Sequence, residues 1–250
     1  MLGACALTSQ AAMRSGAGLV TCAVAKSLNL TLQKKVLNVV MTLELPEIKP
    51  GTISNKAYDF LKKVFLKFNA VVIGPGLGLQ ASTKTLIYKI VEHYPGPMVI
   101  DADALNALAL NISSLKKANG IRILTPHEGE MARLIGRTLK SSQEARKKVA
   151  VDFARKFKSI VVLKGHHTVV ASAQGQVYIN KTGNVGMATA GSGDVLSGMI
   201  GAFLGQQIEP FEAAKLGVYY HGKAGDKALQ YKSKASLIAT DMIDYIPTVL

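Results

Sequence analysis

The sequence predicts an α/β fold whose mostly parallel central sheet is covered by helices on both faces. Three observations carry that expectation. Short β-branched runs alternate with stretches of helical period between residues 19 and 165, as successive βαβ units do. Beyond Lys164 the pattern changes to "TVVASAQGQVYIN", two alternating segments around "AQGQ", which predicts a hairpin on the sheet edge. At 250 residues and 48% hydrophobic, without internal repeat, low-complexity tract or linker, the chain is expected to form one domain over residues 1–250.

The elements follow in order. The chain opens in what looks like helix. Strands are predicted at "LVTCAV" (19–24), "NAVVIG" (69–74), "PMVID" (97–101), "IRILTP" (121–126) and "SIVVLKG" (159–165). Two helical segments, about 193–205 and 210–229, close the fold. In the first, Val195, Leu196, Met199, Ile200, Phe203 and Leu204 recur at helical spacing, and Gly198, Ala202 and Gly205 make a small face for close packing.

Composition narrows the function classes. Thirty Lys+Arg against sixteen Asp+Glu give a net charge of +14. The basic residues are scattered, as in "KKVFLKF" and "RKKVAVDFARKFK", which reads as solvated helix faces and no nucleic-acid stripe. A general attraction for phosphorylated small molecules remains. Cys5 and Cys22 form neither a CxxC pair nor a zinc pattern, so a reduced, cytoplasmic protein without a disulfide framework is expected. "LGAC" is not preceded by the basic and apolar regions of an export signal, and no run reaches the length of a membrane span.

In an open α/β sheet, ligands sit at the carboxyl ends of the strands. The residues there are "GPGLG" (74–78), "DADALN" (101–106), "TPHEGE" (125–130) and "KGHHT" (164–168). Gly76-x-Gly78-x-x-Ala81 satisfies the dinucleotide fingerprint, with Asp101 where a ribose-binding acid would lie. That rival reading is a Rossmann-type dehydrogenase. Against it, the fingerprint usually follows the first strand, whereas about 70 residues precede it here.

"NVGMATAGSGDVLSG" raises the sharper question. Ala190-Gly191-Ser192-Gly193 can turn several backbone N–H groups toward one point at the positive end of the helix that follows, forming an anion nest. Gly186 to Ser192 has the glycine spacing of GxxxxGK[ST] but no lysine, so a Walker-type loop is rejected. Asp194 beside the nest could accept the proton of an attacking hydroxyl, with the helix terminus depressing its pKa, or it could simply cap the helix. "PHEGE" lacks the HExxH spacing, and neighbouring strand residues face opposite ways, so neither His127 nor the pair His166 and His167 is expected to hold zinc.

"ATAGSGDVLSGMI" resembles the anion-hole segment of the ribokinase-like kinases. Together, "RSGAGLVT", "VIGPGLG", "VIDADALN", "LTPHEGEMARLIG" and "MATAGSGDVLSG" resemble the ADP- or ATP-dependent NAD(P)H-hydrate dehydratases, in family order from about residue 3 to the end. The resemblance implies a ribokinase-like three-layer α/β/α fold and a lyase that repairs (6S)-hydrated NADH or NADPH. The chemistry implied is phosphorylation of the C6 hydroxyl, then phosphate loss.

It also implies the residue roles. Asp194 is the catalytic base; Ala4, Gly76, Gly78, Asp101, Asn106 and His127 join it around the substrate. Lys164, Gly165, His166, His167, Thr168, Gly191, Ser192 and Gly193 hold the nucleotide, and Glu130 organises magnesium through water. The form of "HEGEMARLIG" favours ADP over ATP as donor. A homo-oligomer, in the family a tetramer, and an NAD(P)H-hydrate epimerase as functional partner are further implications. Gly3 and Ala4 resemble the remnant of a glycine-rich loop whose preceding strand is missing. Another ribokinase-like small-molecule kinase would share "GSGD" but not "PHEGEMARLIG" with "DADALN"; a noncatalytic nucleotide-binding module is the third reading.

Overall fold

The structure, a computed structural model, describes residues 1–139 and 142–250. In chain order, helix α1 (Leu2–Arg14) leads into strand β1 (Thr21–Ala25), the short α2 (Asn29–Gln33), β2 (Met41–Leu45), and the small hairpin β3 (Glu47–Lys49) and β4 (Thr52–Ile53). Then come α3 (Ala57–Val64), β5 (Val71–Ile73), α4 (Ala81–His93), β6 (Met98–Ile100), α5 (Ala102–Leu110), α6 (Ser113–Lys116) and β7 (Arg122–Leu124). The second half runs α7 (Glu128–Ile135), α8 (Gln143–Phe157), β8 (Ile160–Leu163), β9 (Val169–Ala171), β10 (Val177–Ile179), α9 (Ser192–Gly205), α10 (Pro210–Ala228) and α11 (Ala239–Tyr245).

The central sheet has the order β10-β9-β8-β7-β6-β5. Strands β5 to β8 are parallel, while β9 runs antiparallel to both β8 and β10, which places the expected hairpin at the edge. Alternate residues of the central strands enter different cores, because successive Cβ atoms point to opposite faces. Ile100, Leu124, Val161 and Leu163 pack with α4, α5, α7 and α8 on one face. Val99, Ile123, Ile160 and Val162 pack with α9, α10 and α11 on the other. Runs that are apolar throughout are therefore the correct signal for strands buried on both sides. Arg122 is the exception on that surface. Its guanidinium donates to the carbonyls of Val91 in the last turn of α4 and of Tyr94 and Gly96 just beyond it, and burial pushes its pKa down to about 10.

Two expectations need correction. "LVTCAV" does form a strand, β1, but it pairs in parallel with β2 in a separate two-stranded sheet and not with the central one. Its partner "MTLEL" reads too polar to announce itself: the pattern is exposed and half-buried, with only Leu45 fully inside. Secondly, the close-packing face of α9 is built from Gly198 and Gly201, not Gly205. A side chain at Gly198 would strike the carbonyl of Thr8 in α1, and one at Gly201 would strike Val72 of β5, whereas nothing lies within 4 Å at Gly205. Helix α9 is thus held between α1 and the sheet.

The topology also disposes of the dehydrogenase reading. A Rossmann-type cofactor site lies at a point where the strand order reverses. Here β5, β6, β7 and β8 follow one another without reversal, and the helices that connect them all pack on one face. The carboxyl ends of these four strands consequently form one continuous edge.

Candidate functional site

That edge is tied together by backbone hydrogen bonds from loop to neighbouring strand. The Asp101 N–H donates to the Ile73 carbonyl at 3.0 Å, Thr125 N–H to Ile100 at 3.1 Å, and Lys164 N–H to Pro126 at 2.8 Å. "GPGLG", "DADALN", "TPHEGE" and "KGHHT" therefore lie side by side, as the parallel sheet requires.

Asp101 is the buried anchor. It stands at the N-terminus of α5, where an acid commonly caps, yet its side chain makes no cap hydrogen bond. Its Oδ1 accepts from Lys164 Nζ at 2.8 Å and its Oδ2 accepts from Ser197 Oγ at 2.6 Å. Ala102, directly after it, has φ 47°, a left-handed conformation unfavourable for a side-chain-bearing residue. It separates two acids with different tasks: Asp103 accepts from the Gly78 N–H at 2.7 Å and so fixes the 74–78 loop.

Gly191, with φ 86°, is the residue before α9, and Ser192, Gly193 and Asp194 form its first turn. The first helical hydrogen bond runs from Val195 to the Gly191 carbonyl, while the Ser192 N–H is used by the Thr189 carbonyl at 3.3 Å. The nest is thus narrower than the sequence suggests: Gly193 and Asp194 supply the helix's outward N–H groups. What the sequence lacked at this point, a lysine, arrives from another strand. A Cβ on Gly193 would sit 3.2 Å from Lys164 Nζ and 3.9 Å from Asp101 Oδ2. An ammonium and a carboxylate therefore meet at Gly193, which has no side chain, in the first turn of α9. Gly193→Val is expected to push the ammonium aside and weaken binding of a phosphate-bearing ligand on the order of tenfold, about 1.4 kcal/mol; equilibrium titration with a nucleoside diphosphate checks it.

Asp194 is half-buried. The expected depression of its pKa by the helix terminus is overturned. Burial first, then the charges of Asp101 and Asp103, raise it to about 6, and Lys164 only partly offsets them. Desolvation and like charge outweigh a partial dipole charge. The group is still ionised at neutral pH, and it is a stronger base than an ordinary aspartate. Next to it, Ser192 Oγ lies 3.4 Å from Nε2 of buried His221, whose pKa burial pushes down to about 4, so the imidazole is neutral.

His127 and Glu130 were expected on one helix face. Instead His127 precedes α7 and caps it. Its Nδ1 accepts from the N–H groups of Gly129 and Glu130 at 3.0 and 3.3 Å, and Glu130 Oε2 accepts from the His127 N–H at 2.9 Å. The ring remains more than half exposed, while Glu130 is buried with Lys164 Nζ 3.7 Å away. Among the described residues no group of three or more His, Cys, Asp or Glu is placed to hold a metal ion. The donor set fits only an ion that takes most of its ligands from water and substrate phosphates, with Glu130 as protein carboxylate, which is how magnesium is commonly held.

The "KGHHT" stretch leaves β8 at Lys164. His166 and His167 are not on a strand, and their rings lie on the same side, stacked at 3.8 Å with 29° between planes; His167 is left-handed at φ 53°. The argument from opposite strand faces therefore does not apply to them. Thr168 Oγ donates to the Gly165 carbonyl at 2.9 Å. The loop is held from beneath by Arg146, which donates to the carbonyls of Leu163, Lys164 and His166. The charge pattern of "RKKVAVDFARKFK" puts Arg146 on a solvated face, but it is 4% exposed. A signal was present: Arg146, Ala150, Phe153, Ala154 and Phe157 are the buried stripe of α8, at helical period.

The remaining candidates divide. Gly76 and Gly78, at φ 67° and 82°, shape the loop beyond β5. Asn106 Oδ1 accepts from Arg133 Nε at 2.8 Å, joining α5 to α7. Gly3 and Ala4 lie inside α1 and not in a loop, and the Ala4 side chain is buried. Ser197, Arg146 and His221 are site-supporting residues that sequence reasoning had not singled out.

Comparison with known proteins agrees with this geometry. The family model described as NAD(P)H-hydrate dehydratase matches residues 1–248. A bifunctional NAD(P)H-hydrate repair enzyme of Moorella thermoacetica is 44% identical over 250 residues, covering 100% of this chain and 47% of the relative. The ADP-dependent (S)-NAD(P)H-hydrate dehydratase of Neisseria meningitidis is 40% identical over 229 residues, 90% of this chain and 73% of that protein. The crystal structure of the ADP/ATP-dependent NAD(P)H-hydrate dehydratase from Bacillus subtilis, co-crystallised with ATP and magnesium, superposes with a TM-score of 0.82 at 29% identity, covering 100% of this chain and 86% of the other. The chain spans about half the length of the bifunctional relatives it matches. With a ribokinase-like α/β/α fold and a lysine-backed nest at the carboxyl edge of its sheet, the chain belongs to the NAD(P)H-hydrate dehydratase family.

Proposed function

We propose that this chain converts (6S)-hydrated NADH or NADPH back to the reduced dinucleotide, consuming ADP as phosphoryl donor. The observation that carries the reading is Lys164 Nζ lying against Gly193 beside the Asp101 carboxylate, in the first turn of α9, where Asp194 is the next residue and feels the charges of both. Asp194 takes the proton of the C6 hydroxyl as that oxygen attacks the terminal phosphoryl group. Lys164 and the free amides of α9 neutralise charge on the equatorial oxygens, the main task in phosphoryl transfer. AMP departs. The C6 ester then leaves as phosphate, pushed by the ring nitrogen, and loss of a C5 proton restores the double bond.

Lys164 through Thr168 and Gly191 through Gly193 bind the nucleotide in this reading; Gly76, Gly78, Asp101, Asn106 and His127 border the substrate. Magnesium, held through Glu130, would supply charge neutralisation between the phosphates. Assembly into a homo-oligomer, a functional partnership with an NAD(P)H-hydrate epimerase and a cytoplasmic setting belong to the same proposal. Among the described residues no helix is long and apolar enough to cross a membrane.

The test is to incubate the protein with hydrated NADH, magnesium and either ADP or ATP, and to follow the absorbance of the reduced nicotinamide. Recovery with ADP is expected, faster than with ATP. Because the base must be ionised, kcat/KM should rise tenfold per pH unit up to about 6, the pKa given to Asp194, and flatten above it. A flat profile from pH 5 to 7, or no recovery with either nucleotide, overturns the reading.

A further inference from the structure

The chain has two cysteines, and the fold brings them together away from the catalytic edge. Cys5 lies about one turn into α1 and Cys22 lies on β1, 17 positions later. The Cys5 thiol donates to the Leu2 carbonyl at 3.2 Å, and Cys22 Sγ approaches the Cys5 carbonyl at 3.9 Å. The Cys22 thiol thus faces the turn of α1 that carries Cys5. They sit in the small core formed by α1, β1 and Leu32 and Val40, separate from the two cores that sandwich the central sheet.

We propose that Cys5 and Cys22 are a redox-modification site that takes a hydroperoxide as oxidant and closes to an intramolecular disulfide stapling α1 to β1. The roles follow from exposure and partners. Cys5 is partly exposed and Cys22 is buried, so an oxidant reaches Cys5. The nearby Cys22 thiol lowers the Cys5 pKa, and Cys5 together with burial raises that of Cys22, so the exposed sulfur is the one that ionises and the buried one keeps its proton.

In the first step the Cys5 thiolate attacks one oxygen of the hydroperoxide. The O–O bond breaks, the sulfur is oxidised to sulfenic acid, and the departing oxygen anion takes a proton from water. In the second, Cys22 sulfur attacks the Cys5 sulfenic sulfur and displaces hydroxide, which leaves as water with the Cys22 proton. The net result is two thiols and one hydroperoxide converted to a disulfide, one alcohol and one water. The opposite side of α1 backs the nest: a Cβ at Gly191 would meet Leu7, and one at Gly198 would meet the Thr8 carbonyl. The staple thus fixes the helix on which α9 leans.

The test treats the full chain with hydrogen peroxide and follows thiol titration, intact mass and non-reducing electrophoresis. The expected result is loss of both thiols together, a mass lower by two hydrogens, a monomeric band, and reversal by dithiothreitol. Closing a loop of this size should also raise Tm by roughly 5 °C in the oxidised form. In Cys22→Ser the sulfenic acid of Cys5 should accumulate and be trapped by dimedone, while Cys5→Ser should react much more slowly. Separate oxygen additions at the two sulfurs, a disulfide between chains, or equally fast reaction of Cys5→Ser would overturn the proposal. Because none of these readouts uses turnover, its failure is distinguishable from failure of the dehydratase reading.

Discussion

Asp194→Asn is expected to lower kcat by about 10²- to 10⁴-fold, equivalent to roughly 3–5 kcal/mol of barrier, while making the folded protein more stable. Both effects come from the same environment. Burial and the neighbouring carboxylates of Asp101 and Asp103 raise the Asp194 pKa from 3.8 to about 6, so the native state binds this proton more tightly than the unfolded chain does. Between about pH 4 and pH 6 the native state therefore holds the extra proton, and stability from this group falls as pH rises through that window. At neutral pH the protein carries the full cost of an ionised carboxylate that its surroundings disfavour. That cost is about 1–2 kcal/mol after discounting for partial exposure. Asparagine removes the charge and with it the cost. Thermal melts at pH 4 and pH 7, alongside turnover of hydrated NADH, check the pair. A variant that is inactive and also less stable at pH 7 would identify Asp194 as a structural cap; one that keeps full activity ends its assignment as base.

How much of this was legible in the sequence depends on what each signal measures. Apolar runs located β5 to β8, because strands covered on both faces must be apolar on both; every one of them lies within its expected span. The small face of α9 was visible in part, since Gly198 does meet α1. Strand β2 escaped, because a half-exposed partner in a two-stranded sheet has no such pattern. In the site, local spacing identified the glycine turn ahead of Asp194, while only the family resemblance brought Lys164 to it, because Lys164 and Gly193 are neighbours only through the fold. Asp194 pKa was misjudged for the same reason: the helix terminus is local in sequence, whereas Asp101 arrives from another strand. Arg146 and His221 look like surface residues by type. Only their positions in the buried stripes of α8 and α10 could have marked them.

Lys164→Met is the most informative substitution for the buried charges. Lys164 lies within 2.8 Å of Asp101 Oδ1 and 3.7 Å of Glu130 Oε2, with the Asp101 side chain only 2% exposed. Methionine fills similar space but leaves Asp101 with Ser197 as its remaining side-chain partner. Stranding one member of a buried pair costs about 3–5 kcal/mol, unless the carboxylate takes up a proton instead. Asp101→Asn in the same chain should recover much of that cost, since the stranded charge is gone. Turnover should not recover, because the double variant still has no cation beside Gly193. Denaturant melts of the two single variants and the double variant at two pH values, with ADP titration of each, measure both halves of the cycle. If the double variant melts no higher than Lys164→Met, the pair's charge is not what the lysine compensates; if it binds ADP like the parent protein, the nest needs no lysine.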